Sequence, residues 1–421
     1  MHNEQDDRAA LDRRDFFKAA GAGLTAAAVV LTPRDAALAQ EAARKAAVDR
    51  IAANTYPIRP LFKSRFTGAA AEAMRRSNAA NRPDREAEAA ALAQNPNATG
   101  ALAVANAATA ARANLPNAEQ MKAKYGEITM LDFPTFTKET FPGVTRMDLF
   151  SGLFGDVTDE TMYFPAVNGR PGGFDPLSAS GQKWLEKLAG VLVKTGTKVQ
   201  HISNNAPSNL AAYGSPEEDE KRKAGVEMGK RWLKGCAVLG VKSMRMNSPQ
   251  ALGPSIRPNA IARGPGDGYP RNIDMVPMLA AAIESHKEMA DVGGELGIKV
   301  TIENHWGLAA DPTNIRIILD EVNHPYCEAS PDFGNWEFDY MLVHGLKALA
   351  PYASSNVHAK YWDRWGDKND VQRSTRIMLA AGFKGTFALE YEQGPLNGVE
   401  GALYLYKEVL AALTTPTPVI G

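Results

Sequence analysis

The sequence predicts a parallel β/α barrel, and three observations carry the prediction. Strand-like and helix-like segments alternate along most of the chain, which favours a parallel α/β fold. Four strand-like segments in the last third end in a residue able to ligate a metal: VTIENH with Glu303, ASPDFG with Asp332, NVHAK with His358 and FALEYE with Glu390. Successive ligands are 29, 26 and 32 residues apart, close to the length of one strand with its returning helix and loops. In such a barrel the C-terminal ends of neighbouring strands converge on one mouth, where active sites sit. Oxygen and imidazole donors there suit a single hard divalent cation.

At the N-terminus, Asp12-Arg13-Arg14-Asp15-Phe16-Phe17-Lys18 precedes a weakly apolar run, Ala19 to Leu31, and then Ala37-Leu38-Ala39 before Gln40. That order resembles a twin-arginine export signal. Residues 1–39 are therefore expected to be a signal peptide and residues 40–421 the barrel. The chain would be periplasmic or secreted, with the twin-arginine export machinery as a partner and no stable membrane anchor.

The first strand reads from Asp49 to Pro57 and the second from Val144 to Phe150, with the first barrel helix over Met130 to Phe141. This leaves a long insertion after the first strand, at about 63–125. Its Ala-, Asn- and Arg-rich composition has few large apolar residues, so helical hairpins or a cover without its own core are expected.

Strand three reads as Lys198 to Asn204. Ser215 with Glu218 forms a capping-box pattern and Pro216 falls in the first helical turn, opening a helix to about Leu239. Strand four is Val241 to Asn247, and the next helix starts near Asn272 with Val276, Leu279, Ile283 and Ala290 at helical spacing. Asp311-Pro312 opens another, with Ile315, Ile318, Leu319 and Val322 as its apolar stripe. Gly382 closes a further helix, and the last spans Val399 to Leu413.

Strand alternation places Lys299, Thr301, Glu303 and His305 inward, with Ile298, Val300 and Ile302 against the helices. It likewise groups Asn356, His358 and Lys360, and Ala388, Glu390 and Glu392. The competing architecture, a doubly wound open sheet, lacks a G-x-G-x-x-G fingerprint after a first strand: Gly264, Gly266 and Gly268 precede a helix but follow no strand.

With 421 residues, 44% of them hydrophobic, and a net charge of −1, the chain can bury a large core and has no electrostatic reason to favour nucleic acid or an anionic membrane. Two cysteines, Cys236 and Cys327, in separate elements do not make a disulfide framework. A homo-oligomer is compatible with all of this.

The segments IENHWG, SPDFGN, HAKYWD and LEYE resemble the Glu, Asp, His and Glu ligand segments of the xylose-isomerase-like TIM-barrel superfamily, the sugar phosphate isomerases and epimerases. The resemblance covers roughly residues 49 to 414 and is most specific in the last four strands. It implies a TIM barrel holding one divalent ion on Glu303, Asp332, His358 and Glu390, with Mn²⁺ the family-based expectation and Mg²⁺, Co²⁺ or Zn²⁺ compatible. It implies that Glu303 and Glu390 are the acid/base couple of a sugar isomerase or epimerase working through a metal-stabilised enediolate. The substrate would be a small sugar or a polyol-derived ketone.

Strand-end positions add His201, Arg245, Asn247 and His305 as substrate-binding candidates, with Trp306 and Trp362 as apolar walls. Lys360 shares parity with His358, and Arg364 lies six residues after it, as an oxygen-binding arginine does in ketose 3-epimerases. Asn335 stands third after Asp332, where many members have histidine, and Ala309 stands sixth after Glu303, where ketose epimerases have glutamate. Asn335 is included among the substrate contacts. The superfamily's endonuclease branch uses many histidines, and of the seven here His2, His286, His324 and His344 are poorly placed. Two alternatives stay open: a keto-polyol dehydratase or 3-keto-sugar β-elimination lyase, and a non-catalytic periplasmic sugar-binding barrel.

Overall fold

A computed structural model describes residues 33–65, 115–167, 171–246, 274–305, 307–336 and 338–415; of Arg364 the backbone alone is described. The chain divides into a unit of residues 1–44 and a unit of residues 45–421. In the first, the chain is helical from Pro33, so Ala37, Leu38 and Ala39 lie in a helix. The twin-arginine pair and the apolar run after it lie outside the described residues.

The second unit alternates strand and helix: β1 (Ile51–Asn54), α1 (Phe133–Thr140), β2 (Arg146–Phe150), α2 (Ala179–Thr195), β3 (Lys198–Ser203), α3 (Pro216–Cys236), β4 (Ser243–Arg245) and α4 (Val276–Leu296). The second half continues with β5 (Lys299–Ile302), α5 (Pro312–Val322), β6 (Cys327–Ala329), α6 (His344–Leu349), β7 (Asn356–Trp362), α7 (Val371–Ala380), β8 (Thr386–Gln393) and α8 (Gly398–Thr414). The strands form one parallel sheet in the order β6-β5-β4-β3-β2-β1-β8-β7. Between β6 and β7 the wall is joined by an isolated parallel bridge, Asp332 opposite His358. There the Phe333 amide donates to the His358 carbonyl and the His358 amide to the Pro331 carbonyl, both at 3.1 Å. This is the α/β barrel expected from the alternation.

Alternation along each strand explains the layers. Met147, Leu149, Val300, Ile302, Val357, Ala359, Phe387 and Leu389 are buried in the hydrophobic core, while Asp148, His201, Ser243, Thr301, Asn356 and His358 are buried polar groups. The α5 stripe Ile315, Ile318, Leu319 and Val322 is buried as expected, each side chain contributing roughly 1.5–3 kcal/mol. Cys236 and Cys327 are free thiols.

Four expectations need correction. The strands do not all end at their ligand: Glu303 and Asp332 lie beyond β5 and β6, whereas His358 and Glu390 lie inside β7 and β8. β7 and β8 run on because they keep pairing as far as Trp362 with Gln393. In α4, the helical spacing holds for Ala290, which is buried, and for Leu279 and Ile283, which pack against the core, but Val276 at the first turn is 70% exposed, because the start of the helix lies beyond its packing on the neighbouring elements. The capping box of α3 is half formed. Ser215 Oγ accepts from the Glu218 amide, but the Glu218 carboxylate turns to Lys221 Nζ at 2.7 Å. Strand four is shorter than expected, and Asn247 lies outside the described residues.

Between β1 and α1 the described chain carries a helix at Ala118–Tyr125; residues 66–114 of the expected insertion lie outside the described residues. Among the described residues no helix is long and apolar enough to cross a membrane.

Candidate metal centre

The four expected ligands come together. Glu303, Asp332, His358 and Glu390 are buried, and one ligand atom from each lies within 4.8 Å of the others. His358 Nδ1 is 3.2 Å from Glu303 Oε1, 3.6 Å from Glu390 Oε2 and 3.9 Å from Asp332 Oδ2.

Asp332 is fixed by the backbone around it. The Gly334 and Asn335 amides donate to its Oδ1 at 2.6 and 3.0 Å. Asn304 clamps its main chain, accepting from the Asp332 amide at 2.7 Å and donating to its carbonyl at 3.0 Å. Asp332 Oδ2 is buried and accepts no hydrogen bond, although Lys360 Nζ is 3.3 Å away. A buried oxygen left in this way costs free energy unless something electropositive meets it. Three carboxylates and an imidazole converging on one point fit a hard divalent cation, so these residues could hold a metal ion.

The electrostatics record the crowding. Burial, with the nearby Glu390 and Glu303 carboxylates, pushes the Asp332 carboxyl up to about 8 against the pull of Lys360. Burial also opposes charge on Glu303, but the Arg245 guanidinium and His358 outweigh it and hold Glu303 well below the usual carboxylate range. Burial disfavours charge on His358 and Lys360 too, yet the surrounding carboxylates raise both well above their ordinary values.

A cavity of about 160 Å³ is lined by Tyr56, Phe150, Ser203, Asn205, Arg245, His305, Asn335, Lys360, Trp362, Glu390 and Glu392. Five expected substrate contacts, Arg245, His305, Asn335, Lys360 and the wall residue Trp362, line it. Lys360 Nζ donates to Asn335 Oδ1 at 2.9 Å and Glu390 Oε1 at 3.1 Å, and Asn335 Nδ2 donates to Glu303 Oε1 at 3.0 Å. Arg245 pairs with Glu303 Oε2 and with Asn205 Oδ1. Of the expected acid/base couple, Glu390 lines the cavity and Glu303 does not.

His201 is not among the lining residues. It is buried with Nδ1 2.7 Å from Ser243 Oγ and its ring edge-on to His358 at 5.8 Å, and burial lowers its pKa to about 4. Asn247, Trp306 and the side chain of Arg364 lie outside the described residues. Sequence reasoning missed Asp148, Asn304, Ser203, Asn205, Tyr56 and Phe150. The alternation of β2, which sets Met147 and Leu149 in the core, was the available signal for Asp148 and Phe150. Asp148 is held down to about 2: burial works against the charge, but His201 and His358 overcome it.

A family model described as "Xylose isomerase-like TIM barrel" matches residues 166–411, more than half of the chain. The chain belongs to the xylose isomerase-like TIM-barrel family. No curated protein matches it by sequence. Among solved structures, a xylose isomerase-like TIM-barrel protein from Mycobacterium smegmatis in complex with magnesium is 17% identical, with 67% of this chain and 89% of that one covered and a TM-score of 0.45. A 3-keto-D-glucoside 4-epimerase from E. coli in its apo form is 15% identical, with 68% and 94% covered and a TM-score of 0.45. A D-tagatose 3-epimerase-like protein is 15% identical, with 64% and 90% covered and a TM-score of 0.46. The family sets the expected location of the site, at the C-terminal mouth of the strands, where this cluster and cavity lie.

Proposed function

We propose that the protein is an exported, divalent-metal-dependent sugar isomerase or epimerase that moves a proton through carboxylates at the barrel mouth. The observation that carries this reading is the convergence of Glu303, Asp332, His358 and Glu390 beside a polar cavity, with Asp332 Oδ2 buried and accepting no hydrogen bond. A bound Mn²⁺ or similar cation would supply Lewis-acid polarisation of a substrate carbonyl, which acidifies the adjacent C–H.

The chain's own groups supply the rest. Glu390 faces the cavity, and Lys360 Nζ lies 3.1 Å from its Oε1. Glu303 is kept ionised by Arg245, which itself lines the cavity. For Glu303 to exchange a proton with substrate on the second face, the guanidinium must leave it for a substrate oxygen. Asn335 and His305 offer further polar contacts for hydroxyl groups. Removal and return of a proton at one carbon would epimerise it, and return to the neighbouring carbon would isomerise ketose and aldose.

Elimination is the second reading. It is favoured by the pair of Glu392 and Lys360, both lining the cavity with Nζ 3.5 Å from the carboxylate, where the Lys360 ammonium would hydrogen-bond a departing oxygen. Export rests on the Arg13-Arg14 segment and the apolar run after it.

The test is elemental analysis of the purified protein beside His358→Ala, followed by solvent-deuterium exchange into keto-sugars. About one transition metal per chain, lost in the variant, with deuterium entering a substrate carbon supports the reading. An enone product shifts it to elimination, and saturable sugar binding without exchange or metal overturns it.

A further inference from the structure

Asp148 lies in β2, 210 residues before His358, and belongs to no motif, yet both of its carboxylate oxygens are committed to the surroundings of that histidine. Its Oδ2 is 2.9 Å from His358 Nε2 and accepts from Asn356 Nδ2 at 3.3 Å, and its Oδ1 accepts from Ser203 Oγ at 2.9 Å. Ser203 Oγ is in turn 3.2 Å from His358 Nε2. Because the serine hydrogen is spent on Asp148, its oxygen can only accept from the imidazole. Nε2 therefore faces two acceptors and carries the hydrogen. Nδ1 is turned toward Glu303, Asp332 and Glu390, with Glu303 Oε1 as its own acceptor at 3.2 Å; a cation among those carboxylates would displace a hydrogen from Nδ1 and leave the one on Nε2, so that the lone pair falls on Nδ1.

The backbone is shaped for this. The β2–β3 register shifts between Met147 and Asp148, so that Met147 pairs with Val199 but Asp148 with His201. Irregularities of this kind re-aim a side chain beside a site. Asp148, His201 and His358 also form a group that could hold a cation, but the 2.9 Å hydrogen bond between Asp148 and His358 leaves no space for an ion between them.

We infer that Asp148 is a positioning residue of the metal centre, holding the Nε2–H of His358 so that Nδ1 is presented as the ligand atom. The inference rests on the metal reading proposed above. A carboxylate behind a ligating histidine fixes its tautomer and orientation, and loss of such a partner typically weakens metal binding.

The experiment titrates wild type, Asp148→Asn and Asp332→Asn with Mn²⁺ by calorimetry, and records nitrogen NMR of the histidine rings in the Mg²⁺-loaded protein. The expected result is wild-type binding, no binding in Asp332→Asn, and affinity lowered roughly ten- to hundredfold in Asp148→Asn. The His358 resonance should show a proton on Nε2 in wild type and lose that signature in Asp148→Asn. Wild type that binds no Mn²⁺ removes the metal reading and this inference with it. Wild-type binding with Asp148→Asn affinity unchanged overturns the positioning role alone. Should Asp148→Asn fail to fold, the wild-type spectrum decides: a proton on Nδ1 with none on Nε2 overturns the inference.

Discussion

Two buried carboxylates four residues apart, Glu328 in β6 and Asp332 just beyond it, meet opposite fates. Glu328 is saturated: Lys299 Nζ lies 2.8 Å from its Oε2, the Ser355 amide donates to Oε1 at 2.9 Å, and the Ser354 and Ser355 hydroxyls donate as well. Asp332 has one oxygen tied to backbone amides and the other, Oδ2, with no hydrogen bond, among further carboxylates. A buried carboxyl group whose acceptor sites are all filled serves the fold, whereas one left partly unmet among other carboxylates could take a cation.

The sharpest way to break that comparison is to neutralise each side chain in turn and measure Mn²⁺ binding. Asp332→Asn should lose at least about a hundredfold in affinity, and Glu328→Gln should keep the wild-type value. Equal losses would erase the distinction between the two ends of the barrel.

Stability without metal should move in opposite directions. Glu328→Gln breaks a buried ion pair and should cost roughly 2–3 kcal/mol in urea unfolding. Asp332 behaves differently because its folded pKa, about 8, lies above the ordinary 3.8. Between those values the folded chain holds a proton that the unfolded chain has released, so metal-free stability falls as pH rises across that window. Asp332→Asn should remove this slope and gain up to roughly 4 kcal/mol at pH 7.

The same shift predicts how binding responds to pH. Asp332 and His358, both raised, must give up protons to ligate. Apparent Mn²⁺ affinity should therefore climb from pH 6 to pH 8, and calorimetry in buffers of different ionisation heat should register proton release. A flat profile would mean that the cluster is already deprotonated. The smallest effect belongs to Asn335→Ala, which removes one hydrogen bond each from Glu303 and Lys360. It should change affinity by less than about tenfold, near the net value of one or two hydrogen bonds.

The halves of the chain were unequally legible. Glu303, Asp332, His358 and Glu390 could be read because each sits at a comparable point of successive β/α units, and the period of the chain reports that position. The alternation of β2 could have turned Asp148 inward, but the tie of Asp148 and Ser203 to His358 could not be read, since it is made across the barrel interior and leaves no interval in the sequence. Alternation identified the inward face of β7 and β8 but could not tell how far those strands run, which depends on their mutual pairing. The same limit applied to α4, where spacing gave the helix but not that its first residue, Val276, stands exposed. His201 was expected at a strand end as a substrate contact, yet it packs edge-on against His358 and is not among the residues lining the cavity.

The wall of the barrel is completed between β6 and β7 by the bridge at Asp332 and His358, and the same two residues supply side chains to the cluster. The point at which the cylinder is fastened and the point at which an ion would be gripped are therefore one location. A fluctuation that parts the seam also pulls two of the four donors away from each other, and a cation drawn to those donors would clasp the seam. Amide exchange at Phe333 and His358 thus becomes a gauge of site occupancy that needs no knowledge of the substrate.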